Sequence, residues 1–465
     1  MKRNTAIENL ARRTLALLAL TIVLAPALAS PQTTHATLDA SFGTGGRVIT
    51  NIEGNFDFAR GVVVQPGGKI IAAGVALGDR GSDFGLTRYN SDGSLDASFG
   101  ANGIVTTDFG GSFEGAWSVA IRADGKIVAA GLTSISGVTK FALARYNIDG
   151  RLDASFGTGG RVTTGFPGAS VANGFCVALQ PDGKVVVAGW TNFDGGADFA
   201  LARYDSAGTL DASFGTGGRV ITAFADSQGL AGVFSIALQP DGKIVAAGGA
   251  KLDGKYDFTL ARYNSNGTLD AGFGTGGRVV TDFGGSDDGA EAVALQQDGK
   301  IVAAGFARGV DFALARYNGD GTLDTSFGTG GRVITDFAGF SDTAYAVAVQ
   351  PDGKIVAAGS AGIINTGFDF ALARYNRDGT LDASFGKVTT DFAAGTDQAF
   401  AVAVQADGKI VAAGQSDGRR ALARYEARSA PTIAVTLTTP TGHDARRRRD
   451  DVRLFTEFVK TRRIS

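Results

Sequence analysis

A single cysteine, Cys176, in 465 residues excludes an intramolecular disulfide. It lies within an apolar, strand-like run and reads as a buried core thiol. Histidine is nearly as scarce. His35 and His443 are the only two, and both fall outside the repeated part of the chain. That removes histidine-based metal clusters and Ser-His-Asp triads from the body of the protein. Glutamate is rare as well: the body holds only Glu53, Glu114 and Glu291. Helical periodicity is absent throughout, so an all-β chain is expected. After the first thirty or so residues no stretch is apolar enough for the ~20-residue span of a membrane helix.

The ends differ from the body. Lys2, Arg3, Arg12 and Arg13 precede an apolar run from Leu15 to Leu28, and Ala27-Leu28-Ala29 offers a small-x-small cleavage site. Residues 1–29 therefore read as a secretory signal, and the protein is expected to be exported. Residues 426–465 leave the repeat and read as a basic tail, disordered or loosely docked. The start carries +3 and the tail +4, which leaves −9 on residues 30–425 of a chain whose net charge is −2. An acidic body excludes a nucleic-acid footprint, which needs clustered positive charge.

What the chain has in abundance is repetition. Leu-Asp-x-[Ser/Gly]-Phe-Gly begins at Leu38, Leu95, Leu152, Leu210, Leu269, Leu323 and Leu381, at intervals of 54 to 59 residues. A long fixed period means one supersecondary unit used many times. In the sixth copy, residues 332–335, 344–350, 354–359 and 370–375 read as strands a, b, c and d. Gln350-Pro351-Asp352-Gly353-Lys354 supplies a tight b–c hairpin turn. Strands b and c are apolar on both faces, as a sheet sandwiched between neighbours requires. Seven sets of four, beginning near Arg47, Ile104, Arg161, Arg219, Arg278, Arg332 and Lys387, predict a seven-bladed β-propeller of four-stranded antiparallel blades over residues 30–425.

Strand d ends in Arg-Tyr in every copy, and the Leu-Asp phrase follows it across one turn. An Arg–carboxylate pair such as Arg88–Asp96 is expected in each copy, as a structural device. The two series are out of phase: Asp39 has no strand d before it, and Arg424 has no Leu-Asp phrase after it. If the chain closes on itself, Asp39 fills the place beside Arg424.

Phe-Ala-Leu-Ala-Arg-Tyr-Asn-x-Asp-Gly-Thr-Leu-Asp-x-Ser-Phe-Gly, followed by Gln-Pro-Asp-Gly-Lys-Ile-Val-Ala-Ala-Gly, resembles the delta-60 repeat, a bacterial β-propeller repeat of unknown function. The resemblance covers about residues 37–425 and implies an exported bacterial protein. It carries no catalytic residues over. The last copy departs from it, because Phe385-Gly386-Lys387-Val388 is three residues shorter than its counterpart.

Antiparallel order puts the near-identical d–a and b–c turns at one end and the variable a–b and c–d loops at the other, and variable loops on a repeated frame mark a binding face. Strand b opens with Trp117, Phe175, Phe234, Tyr345 or Phe400 in five copies, but with Arg60 and Glu291 in the first and fifth. Packing between blades explains the aromatics; a stacking platform for sugars is the sharper alternative. With Glu114 and Trp190 expected at the same end, Arg60, Glu114, Trp117, Trp190 and Glu291 form the candidate ligand region. Solvated surface carboxylates are the plain reading of Glu114 and Glu291. The turn Asn376-x-Asp378-Gly379-x-x-Asp382 hints at calcium, but Ala207 and Asn266 replace Asp378 in other copies, so no metal is expected there. Gly-rich turns such as Thr44-Gly45-Gly46 lack the Lys-[Ser/Thr] and helix of a phosphate loop. The sequence therefore points to a binding scaffold without catalytic residues or cofactor, meeting a cell-surface glycan or protein. The alternative is a carboxylate-dependent, glycosidase-like hydrolase, which needs two carboxylates roughly 5–10 Å apart.

Overall fold

The computed structural model describes residues 36–426, apart from 53, 55, 79–80, 194–195, 225–230, 309–310, 338–339, 364–366 and 393–394, and the side chain of residue 193. The proposed signal at 1–29, His35, Glu53, His443 and the tail beyond residue 426 lie outside the described residues. Among those described, every regular element is a strand. Among the described residues no helix is long and apolar enough to cross a membrane.

The chain begins with β1 (Arg47–Thr50) and then builds a sheet from β2 (Phe58–Val64), β3 (Ile70–Gly78), β4 (Gly81–Tyr89) and β5 (Ile104–Thr107), in that order from one edge to the other. The same order recurs over residues 113–164, 172–222, 231–281, 289–335 and 342–390. A final sheet holds β26 (Asp397–Val404), β27 (Ile410–Ser416), β28 (Arg419–Tyr425) and, on its outer edge, β1. These are seven four-stranded antiparallel sheets. One parallel bridge, Ser82 to Phe113, joins the first two.

This arrangement corrects the grouping read from sequence. Strand a does not open the sheet of its own copy; it is the outer strand of the sheet before it. The reason is the Leu-Asp turn. Asp96 N–H donates to Arg88 O at 2.8 Å and Arg88 N–H to Gly103 O at 2.9 Å, which folds the chain back along the edge of β4. The a–b connection then carries the chain over to the innermost strand of the next sheet. The short last copy accordingly alters an outer strand.

Each innermost strand packs beside the innermost strand of the next sheet, and β26 packs beside β2. The middle strands are buried on both faces, as in the pattern of β3. Core residues interleave between consecutive sheets: Ile71 and Leu86 of the first pack with Ile127 and Ala144 of the second. Burial of such aliphatic side chains contributes about 1.5–3 kcal/mol each.

The first and last strands meet. Arg47, Val48, Ile49 and Thr50 pair with Ala423, Leu422, Ala421 and Arg420. Arg424 reaches Asp39 at 2.6 Å, the same contact that Arg88 makes with Asp96 at 2.6 Å and Arg145 with Asp153 at 2.7 Å. A lysine from the b–c turn completes each site, such as Lys126 at 2.7 Å from Asp153 and Lys409 at 2.7 Å from Asp39. The arginine also donates to a carbonyl of the following copy: Arg145 to Ser206, and Arg424 round to Ser91. One side chain thus ties a turn and fastens adjacent sheets. Burial works against the ionised form of Asp153, but Lys126, Ser155 and Arg145 hold it well below the usual carboxylate range. Tyrosine hydroxyls add a second inter-sheet tie, as in Tyr89 to Thr50 at 2.8 Å.

The junction between the last and first sheets has its own device. Arg420 is fully buried, and its guanidinium donates to Gly85 O at 2.9 Å, Thr87 Oγ1 at 3.0 Å and Ala72 O at 3.1 Å. Gly85 leaves room for it, since a Cβ there would lie 3.1 Å from an Arg420 nitrogen.

Candidate functional site

The seven innermost strands share an irregularity. The register slips between Ala59 and Gly61, Ala116 and Ser118, Gly174 and Cys176, Val233 and Ser235, Ala290 and Ala292, Ala344 and Ala346, and Ala399 and Ala401. The residue left over at each slip is Arg60, Trp117, Phe175, Phe234, Glu291, Tyr345 or Phe400. A β-bulge re-aims one side chain, and here it turns seven equivalent side chains onto one common cavity of about 290 Å3.

The bulge has a requirement on the neighbouring strand. It presses the strand-b backbone against a glycine of strand c, where a Cβ could not fit: one on Gly131 would lie 1.8 Å from Gly115 O, and one on Gly414 1.8 Å from Gln398 O. The Ala-Gly ending of strand c in all seven copies was the sequence signal for the bulge, and sequence reading passed over it.

Five ring members are aromatic and touch in series: Trp117–Phe175 at 5.2 Å, Phe175–Phe234 at 5.5 Å and Tyr345–Phe400 at 5.2 Å between centroids. Arg60 bridges the series, with its guanidinium carbon 3.7 Å from the Phe400 centroid and 4.4 Å from that of Trp117. Its Nε and the Trp117 Nε1 are buried and without hydrogen-bond partners. Glu291 interrupts the ring between Phe234 and Tyr345. Burial pushes the Glu291 carboxyl up to about 7 against the opposing pull of Arg60. Arg60 is itself drawn down by burial, with Tyr345 and Glu291 acting the other way.

A second cavity of about 340 Å3 adjoins the first by sharing Phe234 and Glu291; Trp190, Tyr256, Asp288 and Phe306 also line it. The structure thus gathers four of the five candidate residues. Arg60, Trp117 and Glu291 face the axial cavity, and Trp190 joins Glu291 in its neighbour. Glu114 is not among them. It is fully buried, and its carboxylate accepts from Phe109 N–H at 2.6 Å, Gly111 N–H at 2.7 Å and the Thr133 hydroxyl at 2.9 Å. It fixes the a–b loop, as Asp57 does through Ile52 N–H at 2.7 Å and Leu77 N–H at 3.1 Å. Glu114 is therefore no solvated surface carboxylate, and it lines neither of the cavities that Glu291 lines. Asp57 also confirms that a–b and c–d loops lie at one end, while Lys69 to Asp96 at 2.6 Å joins the b–c and d–a turns at the other.

Asp378 Oδ1 accepts from Thr380 N–H at 3.0 Å and the Thr380 hydroxyl at 2.7 Å, which makes that turn self-contained. At the opposite end, four carboxylate trios place one oxygen from each member within 4.8 Å of the others: Asp83–Asp108–Glu114, Asp257–Asp282–Asp288, Asp311–Asp336–Asp342 and Asp369–Asp391–Asp397. The sequence reading did not find them, because their members come from strands d, a and b of two different sheets.

A family model described as a domain of unknown function (DUF5122) beta-propeller matches residues 65–99, 122–156, 180–214, 239–273, 296–327, 350–385 and 405–428. No curated protein matches the chain. Among solved structures the chain is similar to Sqt1 of Chaetomium thermophilum bound to the N-terminus of a ribosomal protein, at 14% identity and TM-score 0.45 over 80% of this chain and 97% of that one. It is also similar to PQQ-bound aldose sugar dehydrogenase of Streptomyces coelicolor, at 14% identity and TM-score 0.39 over 82% and 97%. A third likeness is to virginiamycin B lyase of Staphylococcus aureus, at 12% identity and TM-score 0.37 over 66% and 82%. These likenesses concern the fold alone.

Proposed function

Because the chain belongs to the DUF5122 beta-propeller repeat family, we propose that it is a closed, exported seven-bladed propeller working as a binding scaffold. Its partner is a cell-surface glycan or protein, met at the end that carries the a–b and c–d loops. One observation carries this reading: six members of the axial ring are aromatic or cationic, while Glu291 replaces the seventh and opens beside the Trp190-lined cavity. Broken symmetry on a repeated frame is where a ligand gains a distinct contact. Aromatic faces with a few charged groups suit sugar rings and exposed peptide side chains.

The test is a glycan and protein-partner array on the protein, repeated with Trp117→Ala and Trp190→Ala. Loss of a wild-type signal in either variant supports the contact region, and unchanged signals in both remove it. Export is tested separately, by fusing residues 1–29 to a reporter and assaying the compartment it reaches.

A hydrolase is the second reading. Glu291, pushed up to about 7, and Asp288 lie on the wall of one cavity, and a general acid needs a carboxyl still protonated near neutrality. Asp288, however, already accepts from Phe283 N–H and Arg308 N–H, each at 2.7 Å. Turnover in a broad glycoside and ester screen that Glu291→Gln abolishes would favour this reading over the scaffold.

A further inference from the structure

We propose that the protein binds calcium at two junctions between consecutive sheets, through Asp311–Asp336–Asp342 and Asp369–Asp391–Asp397. Each trio draws on strand d, the end of strand a, and the start of the next sheet's strand b. In each, one oxygen per carboxylate lies within 4.8 Å of the others. Oxygen-only, multiply charged sites are the chemistry of calcium, which tolerates irregular coordination better than magnesium.

The second observation concerns hydrogen bonding. Asp342 is 1% exposed and Asp397 0%. In each, Oδ2 accepts one backbone N–H at 2.7 Å, from Phe337 and Phe392 respectively. The other oxygen, Oδ1, is buried with no hydrogen-bond partner in either residue. The Gly362 N–H near Asp342 is already given to Ser341 O at 3.0 Å. The Ser416 hydroxyl near Asp397 favours its ionised form but makes no hydrogen bond of normal geometry. A buried carboxylate oxygen without a donor is costly; a cation satisfies it. The other two trios lack this feature: Glu114 and Asp288 receive donors at both oxygens.

Comparison among the copies gives independent support. The acid after strand a and the acid at the start of the next strand b occur together in the four trios. They vanish together at two of the other three junctions, Gly165 with Ala172 and Ala223 with Ala231; at the third, Asp57 caps its loop with Asn51 in place of the second acid. A loop cap alone has no reason to require the second acid. Burial first, and the neighbouring carboxylates after it, push Asp311 and Asp342 above the usual range. A divalent ion would relieve that repulsion.

The test is calorimetric titration of calcium chloride into the chelator-treated full chain, with melting curves in calcium and in EDTA. Two ions per chain are expected, with a melting temperature raised by calcium and lowered again by EDTA. Asp311→Asn and Asp369→Asn should each remove one ion, and the double variant both, since neither residue is the loop cap. Folding of the variants is checked by their melting transition in EDTA, which should match wild type or exceed it. Absence of calcium-dependent heat and of any melting shift in wild type overturns the proposal. So does calcium binding by the double variant equal to that of wild type.

Discussion

The two ends of the molecule are built on opposite electrostatic logic. At the b–c and d–a end every buried aspartate is matched: Asp153 meets Arg145 and Lys126, each at 2.7 Å, and the pattern recurs round to Asp39. At the a–b and c–d end acids gather against one another, and burial, with repulsion from Asp282 and Asp288, lifts Asp257 to about 6. The first end is uniform and fastens sheets; the second varies between copies and gathers acids into trios. Repeated ion pairs hold one end together, and the proposed contact region lies at the other.

The sharpest way to break this comparison is at the fastening end. Asp39→Ala and Asp153→Ala each strand a buried arginine, and each should cost about 3–5 kcal/mol in denaturant unfolding. Their near-equality is the informative part, because it makes the closing contact equivalent to an internal one. A much smaller loss for Asp39→Ala would set the closing junction apart. Next, Gly131→Ala should cost about 3 kcal/mol or more, since the bulge leaves a Cβ only 1.8 Å from Gly115 O. Ala129→Gly in the same strand serves as a milder control, near ~1 kcal/mol.

Acid titration separates the ends. Asp153 lies far below its unfolded value, so its contribution is complete above about pH 4 and lost as pH falls further. Asp257, at about 6, lies above its unfolded value, so stability is gained as pH falls from 7 through 6 toward ~4. Melting temperature in EDTA should therefore peak between about pH 4 and 6. A monotonic fall from pH 7 to 3 would contradict the account of the acidic end. The smallest effect concerns Cys176, whose thiol is 7% exposed, donates to Ala188 O at 3.5 Å and is pushed up by burial. It should resist thiol reagents at pH 8 until the protein unfolds; fast labelling of the native state would contradict its burial.

Much of this was legible in the sequence because repetition turns single-residue ambiguity into pattern. The b–c hairpin at Asp182-Gly183, the Arg–Asp pair and the partnership of Asp39 with Arg424 follow from phrases that recur. What stayed hidden has a physical source. Strand a could not be assigned to a sheet, because its order in the chain does not say which edge it joins. The carboxylate trios span two sheets, so no local spacing reveals them. Glu114 looked like a rare, free acid because its donors are two backbone N–H groups and a hydroxyl from the neighbouring strand, Thr133. Arg60 and Glu291 were singled out by breaking the aromatic series, and the bulge brings both to one cavity.

The claim beneath all of this is that the first strand completes the last sheet. Hydrogen–deuterium exchange of the native chain tests it most directly. Pairing of Arg47–Thr50 with Arg420–Ala423 predicts exchange as slow as that of its counterpart Arg161–Thr164, which pairs Phe141–Ala144 within one continuous stretch of chain. Exchange of Arg47–Thr50 at the rate of unpaired chain, with Arg161–Thr164 still protected, would contradict closure.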